Sequence, residues 1–215
     1  MPRTAIIDYG IGNLYSVVKA VEHVAGPADS VVKTSNPEVI AASDRVIFPG
    51  QGAANDCMRA LRALELEQAV VEAARQKPFL GICMGMQVLM QESEENRGTG
   101  CLAMYDGRVK YFGNHVSVGA GDDCYKVPHM GWNCIRQYQD HPLWADIPQS
   151  SYFYFVHSYF VECEENDLIA GTTDYGIEFT SVIARDNVFA MQCHPEKSAA
   201  PGLQLLSNFM RWDGN

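Results

Sequence analysis

Phe79-Leu80-Gly81-Ile82-Cys83-Met84-Gly85-Met86-Gln87 is the stretch on which the fold turns. Pro78 closes a charged helical segment before it, an apolar run leads to Cys83, and Met84 to Met90 opens an apolar helix. Strand, sharp turn and helix in that order make a nucleophile elbow, with Cys where Gly-x-Ser-x-Gly hydrolases carry Ser. Such a turn strains its central residue and crowds the residues two before and two after, so both must be small. Here they are Gly81 and Gly85. A helix start also brings backbone N–H groups beside the sulfur, and these favour the attacking thiolate. A buried structural cysteine between two glycines would give the same nine residues, since cysteine is among the most buried residue types. The rest of the chain separates the two readings.

Upstream, the strand–helix order repeats. Ala5-Ile6-Ile7-Asp8-Tyr9 runs into Gly10-Ile11-Gly12-Asn13, followed by Leu14, Val17, Val18, Val21 and Val24 at helical spacing. The glycine pair lacks the third glycine of a dinucleotide loop, so a tight turn is the better reading. Val31-Val32-Lys33-Thr34 and Arg45-Val46-Ile47-Phe48 read as further strands, the latter ending at Pro49-Gly50-Gln51-Gly52. One long helical region is expected after it, through Met58, Leu61, Leu64, Leu66, Val70 and Val71. This alternation predicts an α/β fold with a mostly parallel central sheet and helices on both faces. Loops at the carboxyl ends of parallel strands build sites. Gly10–Asn13, Pro49–Gly52 and Cys83 then share one rim.

Downstream of residue 98, glycine-rich turns separate short β stretches: 108–111, 152–156, 159–161, 168–170, 179–184 and 188–192. Antiparallel hairpins are expected in this half, with Asp174-Tyr175-Gly176 and Arg185-Asp186-Asn187 as turns. A closing helix runs through Leu203, Leu205, Leu206, Phe209 and Met210. With no repeat, linker or low-complexity tract, residues 1–215 read as a single domain.

Composition sets limits. Of 215 residues, 16 are basic and 26 acidic, and the net charge of −10 argues against nucleic acid or an anionic membrane as partner. No apolar run approaches the ~20 residues of a membrane span. Seven cysteines without a close C-x-x-C pair, and an N-terminus that enters a strand directly, predict a cytoplasmic protein with reduced thiols and no zinc site. The acidic clusters 92–95 and 162–165 read first as solvated surface.

Two further segments carry chemistry. In Met191-Gln192-Cys193-His194-Pro195-Glu196, proline forces an extended backbone, and residues two apart in extended chain share a side. Glu196 can then reach the His194 ring and hold its tautomer, as the third member of a triad does. A surface His-Pro-Glu turn is the bland alternative. Pro49-Gly50-Gln51-Gly52 fits a β-turn, or else a strand whose N–H groups face an oxyanion; Met84, the residue after the nucleophile, supplies the partner donor in elbow enzymes.

Pro49-Gly50-x-Gly52, Gly81-Ile82-Cys83-x-Gly85-x-Gln87 and His194-Pro195-Glu196, in that order, resemble the class I triad glutamine amidotransferases. Pro128-His129-Met130-Gly131-Trp132-Asn133, Tyr154-Phe155-Val156-His157-Ser158-Tyr159 and Glu196-Lys197-Ser198 with Gly202–Phe209 narrow the resemblance. They point to the branch serving imidazole glycerol phosphate synthase, and the likeness spans Asp8 to Phe209. Gln51 departs from it, since Val is the more frequent residue there.

The resemblance implies hydrolysis of L-glutamine to glutamate and ammonia by Cys83, His194 and Glu196, through a glutamyl thioester, with no metal or cofactor. Gln51, Gly52 and Met84 would hold the oxyanion. By position it assigns Gly52, Gln87, Glu95, Ser158 and Tyr159 to the substrate. Asn13, Met130, Trp132, Tyr154 and Lys197 fall at an interface with a separate (β/α)8 cyclase, in a heterodimer. The cyclase would use the ammonia to make imidazole glycerol phosphate and AICAR in histidine biosynthesis. Trp132 and Met130 suit a core equally well, and Glu95 a solvated face. The family's glutaminase is weak until the cyclase binds its ligand, and Gly50 and Gly52 would ease the flip of an oxyanion peptide. Three alternatives stay open: an amidotransferase of anthranilate, guanylate or pyridoxal phosphate synthesis, a catalytically silent regulatory subunit, and a cysteine peptidase.

Overall fold

The computed structural model describes residues 1–12, 14–117 and 124–215. Its N-terminal half alternates strand and helix: β1 (Arg3–Ile7), α1 (Leu14–Val24), β2 (Ser30–Thr34), α2 (Pro37–Ala41), β3 (Arg45–Gly50), α3 (Ala54–Ala63), α4 (Glu67–Gln76), β4 (Phe79–Cys83) and α5 (Met84–Gln87). The second half is mainly β: β5 (Glu92–Ser93), β6 (Thr99–Gly100), β7 (Gly107–Tyr111), β8 (His129–Cys134), β9 (Arg136–Gln137), β10 (Tyr152–His157), β11 (Tyr159–Cys163), β12 (Ile169–Asp174), β13 (Glu178–Arg185) and β14 (Val188–Met191). Helix α6 (Ala199–Arg211) closes it.

The centre of the main sheet is parallel, in the order β2-β1-β3-β4-β14. It continues through antiparallel β13, β11 and β7, and β12 pairs with β13. Alternation along each central strand divides the core in two. Ile6, Ile47 and Leu80 face α1 and α6, packing with Val17, Val21, Leu205 and Phe209. Ala5, Ile7, Val46, Phe48 and Phe79 face α3 and α4, packing with Met58, Leu61, Val70 and Ala73. A strand buried on both faces has no polar side, and each such fully buried Ile or Phe contributes roughly 1.5–3 kcal/mol. The expected mixed sheet with helices on both faces is what forms.

Three local expectations need correction. The long helix after Gly52 is two helices. Glu65 takes a left-handed φ of 56° and Leu66 N–H returns to Leu61 C=O, so the chain turns at 64–66. Leu64, expected inside, is 41% exposed, while Leu66 is fully buried. The helix after Cys83 is a single turn, because Val88, Leu89 and Met90 leave it to bond the 102–105 segment. Finally, residues 129–134, read only as a motif, form a strand. That strand, β8, pairs with β10 in a separate two-stranded sheet. The chain passes from this small sheet to the main one at Ser158, between β10 and β11. Both expected hairpin turns occur, joining β12 to β13 and β13 to β14.

Candidate active site

Cys83 ends β4 with φ 55° and ψ −106°, a conformation a side-chain-bearing residue adopts only where its surroundings impose it. The imposing contacts are those expected of an elbow. A Cβ added to Gly81 would lie 2.8 Å from Ala190 Cβ and 2.9 Å from Gly85 C=O, and one added to Gly85 would land on Phe48 C=O. Gly50 sits beside Cys83 in the β3–β4 register, where a side chain would strike the Tyr9 hydroxyl and Met84 Cβ. Glycine at 50 is therefore required by crowding. Gly52, with φ +86°, is the conformationally special glycine of the loop.

The imidazole arrives from the neighbouring strand. β14 lies parallel to β4, so the residues leaving its end emerge beside the elbow. His194 Nδ1 is 2.8 Å from Glu196 Oε1, and both side chains are buried, at 2% and 1% exposure. The route differs from an extended tripeptide: Pro195–Lys197 is a 3₁₀ turn, and it is this turn that brings the carboxylate back to the ring. Nε2 is buried without a well-formed hydrogen bond, and its neighbour is Cys83. Burial pulls the ring's proton affinity down, but the charge and hydrogen bonding of Cys83, with Glu196, outweigh it and raise the pKa to about 10. The sulfur on one side of the ring and the Glu196 side chain on the other thus both favour its protonated form.

A closed backbone circuit fixes the ring's position. His194 N–H donates to Tyr154 C=O (2.9 Å), Tyr154 N–H to Ser198 Oγ (2.9 Å), and Ser198 Oγ–H to His194 C=O (2.6 Å). Ser198 is fully buried.

These groups open onto a pocket of about 430 Å³ whose lining includes Gln51, Gly52, Cys83, Met84, Gln87 and His194. Glu95, Ser158, Tyr159 and Lys197 lie along the same wall. Each residue assigned to oxyanion or substrate thus borders one cavity. Glu95 is no solvated surface residue: its Oε2 accepts from Ala54 N–H (2.7 Å), capping α3, and burial raises its carboxyl. The 162–165 cluster keeps the bland reading, with Glu162 on Lys110 and Glu165 on Arg185. Gln87 is committed inward, its Nε2 donating to Tyr159 C=O (3.1 Å) and Gln192 Oε1 (2.9 Å).

Of the residues assigned to an interface, Met130, Trp132 and Tyr154 share the outer face of the β8–β10 sheet, where Trp132 pairs with Tyr154 in register. Met130 is 61% and Trp132 51% exposed, so neither belongs to the core. Lys197 Nζ stands over the Tyr154 ring, 6.0 Å from its centroid. Asn13 lies outside the described residues. Sequence reading passed over Gln192, Ser198 and the buried pair His129–His157, whose Nδ1 and Nε2 are 2.9 Å apart. Gln192 had a signal: a polar residue closing an apolar strand, two positions before the histidine. Among the described residues, no group of three His, Cys, Asp or Glu is placed to hold a metal ion, and no helix is long and apolar enough to cross a membrane.

Residues 5–212 match the family Glutamine amidotransferase class-I. The chain is 53% identical over 215 residues to the imidazole glycerol phosphate synthase subunit HisH of Methylococcus capsulatus, covering 99% of this chain and 98% of that protein. It is 54% identical over 214 residues to the subunit of the same name from Nitrosococcus oceani, covering 100% and 99%. Among solved structures, PurLQS from Thermotoga maritima superposes with a TM-score of 0.70 at 15% identity, covering 98% of each chain, a likeness of fold.

Proposed function

The chain belongs to the class I glutamine amidotransferase family, and from that premise we propose that it is the glutaminase subunit of imidazole glycerol phosphate synthase, in histidine biosynthesis. The supporting observation is the strained Cys83 and the Glu196-held His194 ring in one pocket with Gln51, Gly52 and Met84. The whole of residues 1–215 acts as one glutamine amidotransferase domain.

Cys83 Sγ attacks the side-chain amide carbon of L-glutamine. Backbone N–H groups of Met84 and the Gln51–Gly52 segment hold the oxyanion; losing one such donor typically costs about 3–4 kcal/mol of transition-state stabilisation. His194 Nε2 passes a proton to the departing ammonia, and a thioester remains on Cys83. Water, deprotonated by the same nitrogen, then releases glutamate. Glu196 holds Nδ1 throughout. At the other end of the substrate, both Nε2 hydrogens of Gln87 are already used, so only its Oε1 acceptor remains. That acceptor and the Glu95 carboxylate suit the α-ammonium. Ser158 and Tyr159 line the wall that receives the α-carboxylate.

Ammonia is handed to a (β/α)8 cyclase in a heterodimer, docked on the face carrying Met130, Trp132 and Tyr154 with Lys197 at its edge. An exposed cluster of Trp, Met and Tyr is the composition of an interface centre. Steady-state glutaminase assays with and without the cognate cyclase and its ligand test this. Stimulation by the ligand-bound partner is expected. Glutamine turnover indifferent to the partner, or failure to restore growth to a histidine auxotroph lacking this subunit, would overturn it.

A further inference from the structure

The elbow helix of this protein is one turn long, so little helix dipole reaches Cys83. A side chain fills that position. Gln192, fully buried, has its Nε2 3.5 Å from Cys83 Sγ, within N–H···S distance. Gln192 and His194 follow the end of β14 two residues apart, and both converge on the same sulfur.

We propose that the Gln192 carboxamide is a dedicated N–H donor to the Cys83 thiolate, locked in that sense by a one-way chain of hydrogen bonds beginning at the Tyr159 carbonyl. The direction follows from donor and acceptor chemistry alone. Tyr159 C=O can only accept. It therefore draws the Nε2 end of Gln87, at 3.1 Å, and fixes which way that amide points. The same Nε2 faces Gln192 at 2.9 Å, so Gln192 must present its oxygen there. Its NH₂ is left facing the sulfur. A flipped Gln192 would set two NH₂ groups against each other and an oxygen against sulfur lone pairs. With Gln87 and Gln192 both buried, water is not at hand to relieve either clash.

Such a donor is worth most when the sulfur is anionic, because hydrogen bonds to charged groups are roughly twice as strong as neutral ones. Gln192 thereby favours the form that attacks and aims its lone pair, while His194 handles the protons. The proposal rests on Cys83 being the nucleophile.

The test is the rate of Cys83 alkylation by iodoacetamide against pH, read by peptide mass spectrometry on the full-length chain, with thermal melts as a folding control. Gln192→Met keeps length and removes the donor. The midpoint of its profile should move up by about one pH unit, and kcat/KM for glutamine should fall about tenfold at pH values below that midpoint. Gln192→Glu, which turns an acceptor on the sulfur, should move it further. Unchanged midpoints in folded variants overturn the proposal. Should neither variant fold, Gln87→Leu frees the Gln192 amide one link away; an upward shift there supports the chain and no shift refutes it. Wild-type labelling that spares Cys83 would instead sink the nucleophile assignment itself.

Discussion

Residue 83 carries strain that its neighbours enforce, and the enforcement is specific. With no room for a Cβ at position 85 against Phe48 C=O, Gly85→Ala must move either the elbow or β3. We expect about 3 kcal/mol of destabilisation, a Tm lowered by roughly 6–12 °C, and loss of glutaminase activity, all measurable by calorimetry and assay. Cys83→Ala removes the sulfur, keeps the Cβ and with it the strained backbone, and leaves the packing intact. In complex with the cyclase it should lose glutamine-dependent synthesis and keep synthesis from ammonium salt; loss of both would assign Cys83 to folding or docking. Glu196→Gln removes the charge that helps hold His194 as imidazolium, and kcat/KM should fall by about 10⁴-fold, as for a triad carboxylate turned amide. A fall below tenfold would remove Glu196 from the mechanism. Cys83, His194 and Glu196 were legible from local sequence because each is announced by its neighbours: two glycines, a strand end, a proline.

At the scale of elements, β10 has two jobs. Its outer face presents Tyr154 beside Trp132, and its backbone grips His194 and Ser198. A partner pressing on this small sheet therefore presses on the strand that positions the imidazole. Trp132→Ala should leave the Tm of the isolated chain unchanged and weaken cyclase binding by about 2 kcal/mol or more, read by titration calorimetry. Unchanged affinity would move the interface elsewhere. The pairing of β8 with β10 was not legible from sequence, since residues 129–134 alternate only weakly and the strand lacks a hairpin turn to its partner. The break between α3 and α4 left a trace, a five-residue gap from Leu61 to Leu66 where helical period wants three or four. Leu64 disguised it by filling the gap with an apolar residue that faces water.

For the molecule as a whole, acid stability depends on buried histidines. His129 and His157 are linked at 2.9 Å, and burial lowers them to about 4 and about 3; His157 is also lowered by the neighbouring His129. The unfolded chain, with histidine near 6.5, takes up protons that the fold refuses. Their neutral-state stability is thus complete above pH 6.5 and is lost as pH falls toward 4 and 3. For His129 alone the loss is about 2 kcal/mol by pH 5. Urea melts at pH 7 and pH 5 should show it, and His129→Asn should shrink the difference by about 2 kcal/mol while leaving the part that His157 carries; equal stabilities at both pH values would refute it. The sequence by itself determined the strand–helix alternation of the N-terminal half, the elbow and the His–Glu pair, because these depend on residues a few positions apart whose spacing is their geometry. Only the tertiary structure decided that Glu95 caps a helix at the pocket wall, that Trp132 is exposed, and that Gln192 faces Cys83 across 109 positions. The alignment of β14 beside β4 sets those last two residues together, and strand pairing between distant segments is a property of the packed sheet, which no short window of residues contains.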